Sequence, residues 1–238
     1  AIFSDALNHA SLIDGCRLSR ATVHVYSHRD SDHLESLLRE HRSGSRRALI
    51  ITDSLFSMDG VTAPLRDIAN LARSFDAGLL VDEAHALGVF GPNGRGLSAA
   101  MGIEPDVVVG TLGKSFGVAG AFVAASEAVV GLIRNRARSF VYSTAPPPMI
   151  ARAAVAALQL VREADDGNSQ ILPVFIGNNE RTMQLSAKLL DRGVFVQGIR
   201  PPTVPAGTAR LRLTPMATHR PEHIERAIDA FASLVRNP

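Results

Sequence analysis

The chain has 238 residues, 46% of them hydrophobic and 20% charged, which excludes wholesale disorder and leaves length for one large domain or a large and a small one. Its 25 Lys and Arg against 23 Asp and Glu give a net charge of +2, too small a surplus for a nucleic-acid surface. The single Cys16 excludes an internal disulfide and a thiolate metal cage. No apolar run reaches the roughly 18–20 residues of a membrane span, and the opening Ala-Ile-Phe-Ser-Asp has neither the basic start nor the long apolar stretch of a signal peptide. A soluble, cytoplasmic protein with no metal, no membrane and no nucleic-acid partner is the expectation.

Strand and helix patterns alternate along the chain. Ala21 to Tyr26 is a short β-branched run, and Ser31 to Arg42 carries Leu34, Leu37 and Leu38 at helical spacing. Ala48 to Thr52 reads as an apolar strand, Leu65 to Phe75 as a helix, and Gly78 to Val81, Asp106 to Val109 and Ala121 to Ala125 as further strands. Wholly apolar strands separated by amphipathic helices predict an α/β fold, a mostly parallel sheet flanked by helices. Pro146, Pro147 and Pro148 interrupt this pattern, and a long Ala-rich helix follows from about Ile150 to Glu163, ending in the polar stretch Asp165 to Ser169. The remainder reads as strand (Leu172 to Ile176), helix (Glu180 to Leu190), strands (Val194 to Ile199 and Ala209 to Leu213) and helix (Pro221 to Leu234). Residues 1–150 would form a large domain and 151–238 a smaller C-terminal α+β domain with its linking helix.

Four polar clusters sit near strand ends, where open α/β sheets bind ligands. They are Ser57-Met58-Asp59-Gly60, Asp82-Glu83-Ala84-His85, Thr111-Leu112-Gly113-Lys114-Ser115, and Arg210 with Arg212. Asp82 follows an apolar run, so its backbone is expected to be buried, and a buried carboxylate calls for a facing cation. A salt bridge or a helix N-cap would meet that demand as well as a ligand would. His85 lies three residues on, ahead of the glycines at 88, 91, 94 and 96. Lys114, among small and apolar residues, suits a nucleophilic or Schiff-base amine, the alternative being a solvated surface lysine. Lys188 is the chain's only other lysine; a retained Lys114 suggests chemistry that arginine cannot do, and a coding bias towards arginine would give the same imbalance. Gly113-Lys114-Ser115 and Asp82-Glu83-Ala84-His85 together imitate a helicase-like NTPase. A phosphate loop, however, needs a glycine at 108, where Val108 stands, and should precede the acidic motif.

Asn8-His9-Ala10-Ser11, Phe56-Ser57-Met58-Asp59-Gly60, Val81-Asp82-Glu83-Ala84-His85, Thr111-Leu112-Gly113-Lys114 and Tyr142-Ser143-Thr144 together resemble the α-oxoamine synthases, a family of fold type I enzymes dependent on pyridoxal 5′-phosphate. Matches run in order from near residue 1 to the end. The resemblance implies that Lys114 carries the cofactor as an internal aldimine and that Asp82 keeps its ring nitrogen protonated. It implies that His85 and Ser57 address the phenolic oxygen, and that His9 stacks on the ring. Thr111 would bind the phosphate, with Thr144 doing so across a homodimer interface. Arg212 would hold the amino-acid carboxylate, Arg210 sharing its strand face, and Thr203 would lie near the substrate. The run from Ile199 through Arg200-Pro201-Pro202 to Thr214 favours the branch that condenses L-alanine with a pimeloyl thioester, of coenzyme A or a carrier protein. Glycine C-acetyltransferase and 5-aminolevulinate synthase are the alternatives within the family. Two departures stand out. No counterpart of the family's N-terminal Gly-aromatic turn precedes Ala1, and around 165–171 the chain lacks the family's extra helix and strand. The expectation is a set of segments from a longer chain.

Overall fold

The structure is a computed structural model that describes residues 1–163 and 170–236, with side chains to 162 and from 170 to 234. The polar stretch Asp165 to Ser169, expected to end the long helix, lies outside the described residues, as does most of the gap expected near 165–171. The described residues fall into two compact units, 1–56 with 61–163, and 57–60 with 170–236.

The first unit holds strands β1 (Ile2–Asp5), β2 (Val23–Tyr26), β3 (Leu49–Asp53), β4 (Gly78–Asp82), β5 (Val107–Thr111) and β6 (Ala121–Ala125) in the order β2-β1-β3-β4-β5-β6. The first five run parallel and β6 returns antiparallel against β5. Between them lie helices α1 (Ala10–Leu18), α2 (Ser31–His41), α3 (Leu65–Ser74), α4 (Leu97–Ala100), α5 (Glu127–Arg136), α6 (Arg138–Val141) and α7 (Pro148–Glu163). The α2 helix starts where the Asp30 side chain accepts the His33 N–H at 2.8 Å, and it buries Leu34 and Leu38 four residues apart. The α3 helix buries Leu65, Ile68, Ala69 and Ala72, the spacing of a single helical face. Pro148 opens α7, a position at which proline's missing N–H leaves no hydrogen bond unmade.

β1 and α1 were not legible as elements. Four residues are too few to show a period, and α1 has a glycine at its centre and buries only Cys16. Yet β1 lies inside the sheet between β2 and β3, so Phe3, Ser4 and Asp5 are all buried.

In the second unit, β7 (Leu172–Gly177), β8 (Gln197–Ile199) and β9 (Ala209–Leu213) form an antiparallel sheet in the order β7-β9-β8. Helices α8 (Asn179–Leu190) and α9 (Pro221–Arg236) contribute to its core of Leu189, Val196, Leu211, Ala230 and Leu234. β8 is shorter than the expected Val194 to Ile199. The Val194 N–H donates to Leu189 O at 3.0 Å, closing the end of α8, so pairing with β9 begins only at Gln197.

Candidate active site

Parallel register lines up acids along the carboxyl edge of the first sheet. Asp53 at the end of β3 is paired with Asp82 at the end of β4, and Asp5 ends β1 on the other side of β3. Asp82 is 6% exposed, as its position predicts, and its Oδ1 accepts the Ala84 N–H at 2.9 Å. Its neighbour Glu83 is fully buried and differently engaged. One carboxylate oxygen accepts from Ser54 Oγ (2.7 Å) and Leu97 N (3.0 Å), the other from Ser98 N (2.7 Å) and Ser98 Oγ. That carboxylate serves the fold by fixing the start of α4.

The loop after β5 is anchored to the loop after β4 by Ser115 Oγ, which donates to Leu87 O at 2.6 Å. Gly88 must be glycine there: its φ is +77°, and a Cβ would stand 2.5 Å from Ser115 Oγ. Lys114 precedes this anchor, its carbonyl accepting from Gly117 N at 3.0 Å. The small, apolar surroundings expected from sequence do not enclose it; within its own unit Lys114 is exposed. Half-buried His85 lies on the same β4 loop. Thr111 Oγ1 accepts from Gly113 N at 3.1 Å and donates to Gly120 O at 3.3 Å, which shapes the loop's base. Exposed His9 caps α1, its Nδ1 accepting the Ser11 N–H at 3.3 Å and lying 2.8 Å from Ser11 Oγ. Thr144 is exposed in the segment after α6.

Asp53 ties this group together. Burial first, and Asp82 next, push its carboxyl up to about 7; the His9 N–H and Lys114 oppose the rise and Asp5 adds to it. Lys114 and Asp82 therefore both lie within electrostatic reach of one buried acid. Asp53 escaped the sequence reading, although Thr52-Asp53 repeats the signal of Val81-Asp82, an apolar run ending in an acid.

In the second unit, the two arginines of β9 have different surroundings. Arg210 is 3% exposed and ion-paired with Asp59. It also donates to Thr208 O and Thr208 Oγ1 (2.9 and 3.0 Å) and lies 4.4 Å from the centre of the Phe175 ring. Arg212 donates to the Ser57 carbonyl at 3.2 Å, and its buried Nε has no partner. It lines a cavity of about 360 Å³ with Met58, Gln197, Ile199 and Thr203, beside the cis Pro201-Pro202 bond.

The donors of the first unit fit pyridoxal 5′-phosphate. The floor carries the neighbouring buried carboxyls of Asp5, Asp53 and Asp82, and Asp53 is raised first by burial and then by the Asp82 charge. A protonated ring nitrogen would add a positive charge beside these acids, and the Lys114 amine would meet the aldehyde.

A parallel sheet with a buried acid ending β4 and a loop lysine after β5 defines a fold type I enzyme of the pyridoxal-phosphate class. The chain belongs to the aminotransferase class I and II family, whose profile matches residues 1–166 and 164–231. It is 46% identical to the 8-amino-7-oxononanoate synthase of Geobacter metallireducens, over 98% of this chain and 67% of that one. It is 47% identical to the enzyme of the same name from Citrifermentans bemidjiense, over 95% and 66%. Among solved structures, it matches serine palmitoyltransferase with a pyridoxal-phosphate internal aldimine (30% identity, TM-score 0.92, 99% of this chain and 66% of that one). It also matches the 8-amino-7-oxononanoate synthase of Francisella tularensis (28%, TM-score 0.79, 99% and 75%). The chain thus spans about two thirds of the length of the curated relatives it matches. Among the described residues no helix is long and apolar enough to cross a membrane.

Proposed function

We propose that this chain carries out, as part of a pyridoxal-phosphate-dependent acyltransferase, the decarboxylating condensation of L-alanine with a pimeloyl thioester. The products would be 8-amino-7-oxononanoate, CO2 and the free thiol, the first being the product for which several relatives are named. The observation that carries the reading is the buried Asp82, its strand end shared with Asp53 and both Asp82 and Lys114 acting on that acid.

When bound, the cofactor supplies an aldehyde and a sink for the electrons left on the alanine α-carbon. Lys114 would hold it covalently through Nζ and, once displaced by the incoming amine, would take the α-proton. Asp82 would keep a proton on the ring nitrogen. His9 would cover the ring face, and its Nδ1, accepting from Ser11, leaves its proton on Nε2. His85 and Ser57 would bond the phenolic oxygen, and Thr111 the phosphate. Arg212 would take the alanine carboxylate, satisfying the Nε that is otherwise buried and unpaired. Thr203, on the rim of the same cavity, would border the substrate. We further propose a homodimer. The exposed Phe140, Val141 and Tyr142 immediately precede Thr144, which would reach the partner's phosphate, and further apolar side chains on α7 are exposed at Met149, Val155 and Leu160.

The test is an absorbance titration with pyridoxal 5′-phosphate, then with L-alanine and with glycine, followed by product analysis with a pimeloyl thioester. A visible band that responds to L-alanine and yields CO2 is the expected result. A band that responds only to glycine would move the chain to a sister activity, and no band at all would end the reading.

A further inference from the structure

Asp53 is a buried acid of the floor beside Asp82, and the roles above leave it unused. Its Oδ2 accepts the His9 backbone N–H at 2.7 Å, and its own N–H donates to Asn8 Oδ1 at 2.9 Å. Asn8 Nδ2 in turn donates to Ser4 Oγ and Ile51 O, both at 3.0 Å. The Asn8–His9 peptide is thus clamped to β1 and β3, where α1 begins with the His9 cap. Beside the local bond to Ser4, the contact with Asp53 reaches across 44 residues of chain.

We propose that Asp53 is a positioning residue, its carboxyl group fastening the His9 segment to the strand end beside Asp82 and so setting the His9 ring over the cofactor. This rests on His9 and Asp82 contacting the cofactor as read above. The side chain is 6% exposed, so the hydrogen bond from His9 is shielded from competing water. The charged groups around it are Asp82 on β4, Asp5 on β1 with its His28 partner, and Lys114 after β5, with the Tyr26 hydroxyl at the end of β2. Burial first and Asp82 next push the Asp53 carboxyl up to about 7. An amide would keep the oxygen that receives the His9 N–H and lose the charge; a hydrocarbon would lose both.

Two variants separate these roles. In Asp53→Ala the affinity for pyridoxal 5′-phosphate should fall roughly tenfold, the scale of one buried hydrogen bond. In Asp53→Asn it should return to within about threefold of the unaltered chain, while the pH midpoint of the visible cofactor band shifts because a charge beside Asp82 is gone. Exchange of the His9 amide, followed by NMR on the cofactor-free chain, should be slow in the unaltered chain and in Asp53→Asn and fast in Asp53→Ala. If Asp53→Ala does not fold, Asp53→Leu removes the acceptor and fills the space. A His9 amide equally protected in all variants overturns the proposal, as does an Asn variant no better than Ala. Failure of the unaltered chain to bind cofactor would instead overturn the functional reading and leave the clamp to be decided by the exchange measurement.

Discussion

Each unit carries a pair of like charges that part ways. At the end of β4, Glu83 is saturated by four donors while adjacent Asp82 borders a carboxyl-rich floor. On β9, Arg210 is enclosed by Asp59, Thr208 and Phe175, while Arg212, two residues on, lines a cavity and keeps a buried, unpaired Nε. In both regions one charge is held by several partners and its neighbour by few. Charge type alone does not distinguish them; the number of partners does.

Substitutions can break this division. The largest effect falls on the loop lysine: Lys114→Ala should lower turnover at least roughly 10³-fold and abolish the visible cofactor band. An unchanged band would remove Lys114 from its role. Next, Asp82→Ala should weaken cofactor binding at least roughly tenfold with little loss of stability. Glu83→Gln should do the reverse, lowering unfolding free energy by about 2–3 kcal/mol because a neutral amide cannot accept from all four donors. Cofactor titration and denaturant melts of both variants decide whether the neighbours differ.

On β9, Arg212→Met should raise KM for L-alanine roughly 10- to 100-fold and leave the melt in place. Arg210→Met should cost about 2–3 kcal/mol of stability, less than a fully buried pair because Asp59 is partly exposed. Equal behaviour of the two variants would dissolve the contrast.

Asp53 gives a pH signature. Its carboxyl titrates near 7 in the folded chain against 3.8 for the free side chain, so between these values the folded state holds a proton that the unfolded state has released. Stability from this group therefore falls as pH rises from about 4 to about 7 and is level above that. Asp53→Asn should flatten that fall, worth up to a few kcal/mol, in denaturant midpoints taken from pH 5 to 8. The smallest effect is local: Asp30→Ala removes the α2 cap and should cost about 1 kcal/mol.

Much of the frame was legible because its signals are local. The helical spacing of Leu34 and Leu38 and of Ile68 and Ala72, and the apolar runs of β3, β4 and β5, mark elements within a residue or two of their ends. β1 was not, because a four-residue strand buried on both faces shows no alternation. Which of the two settings weighed for Lys114 holds was not legible either, since composition around a residue in sequence does not say what surrounds it in space.

The order of short motifs by itself determined the family and the chemistry to look for: a lysine after one strand, an acid at the end of another, a histidine three residues on. Only tertiary structure decided that Asp53 stands beside Asp82 and holds His9, and which arginine and which acid are left unsaturated. The reason is physical. Periodicity and turn chemistry act over a few residues and are written in the chain, whereas strand register, burial and the counting of hydrogen-bond partners join residues tens of positions apart and exist only once it has folded.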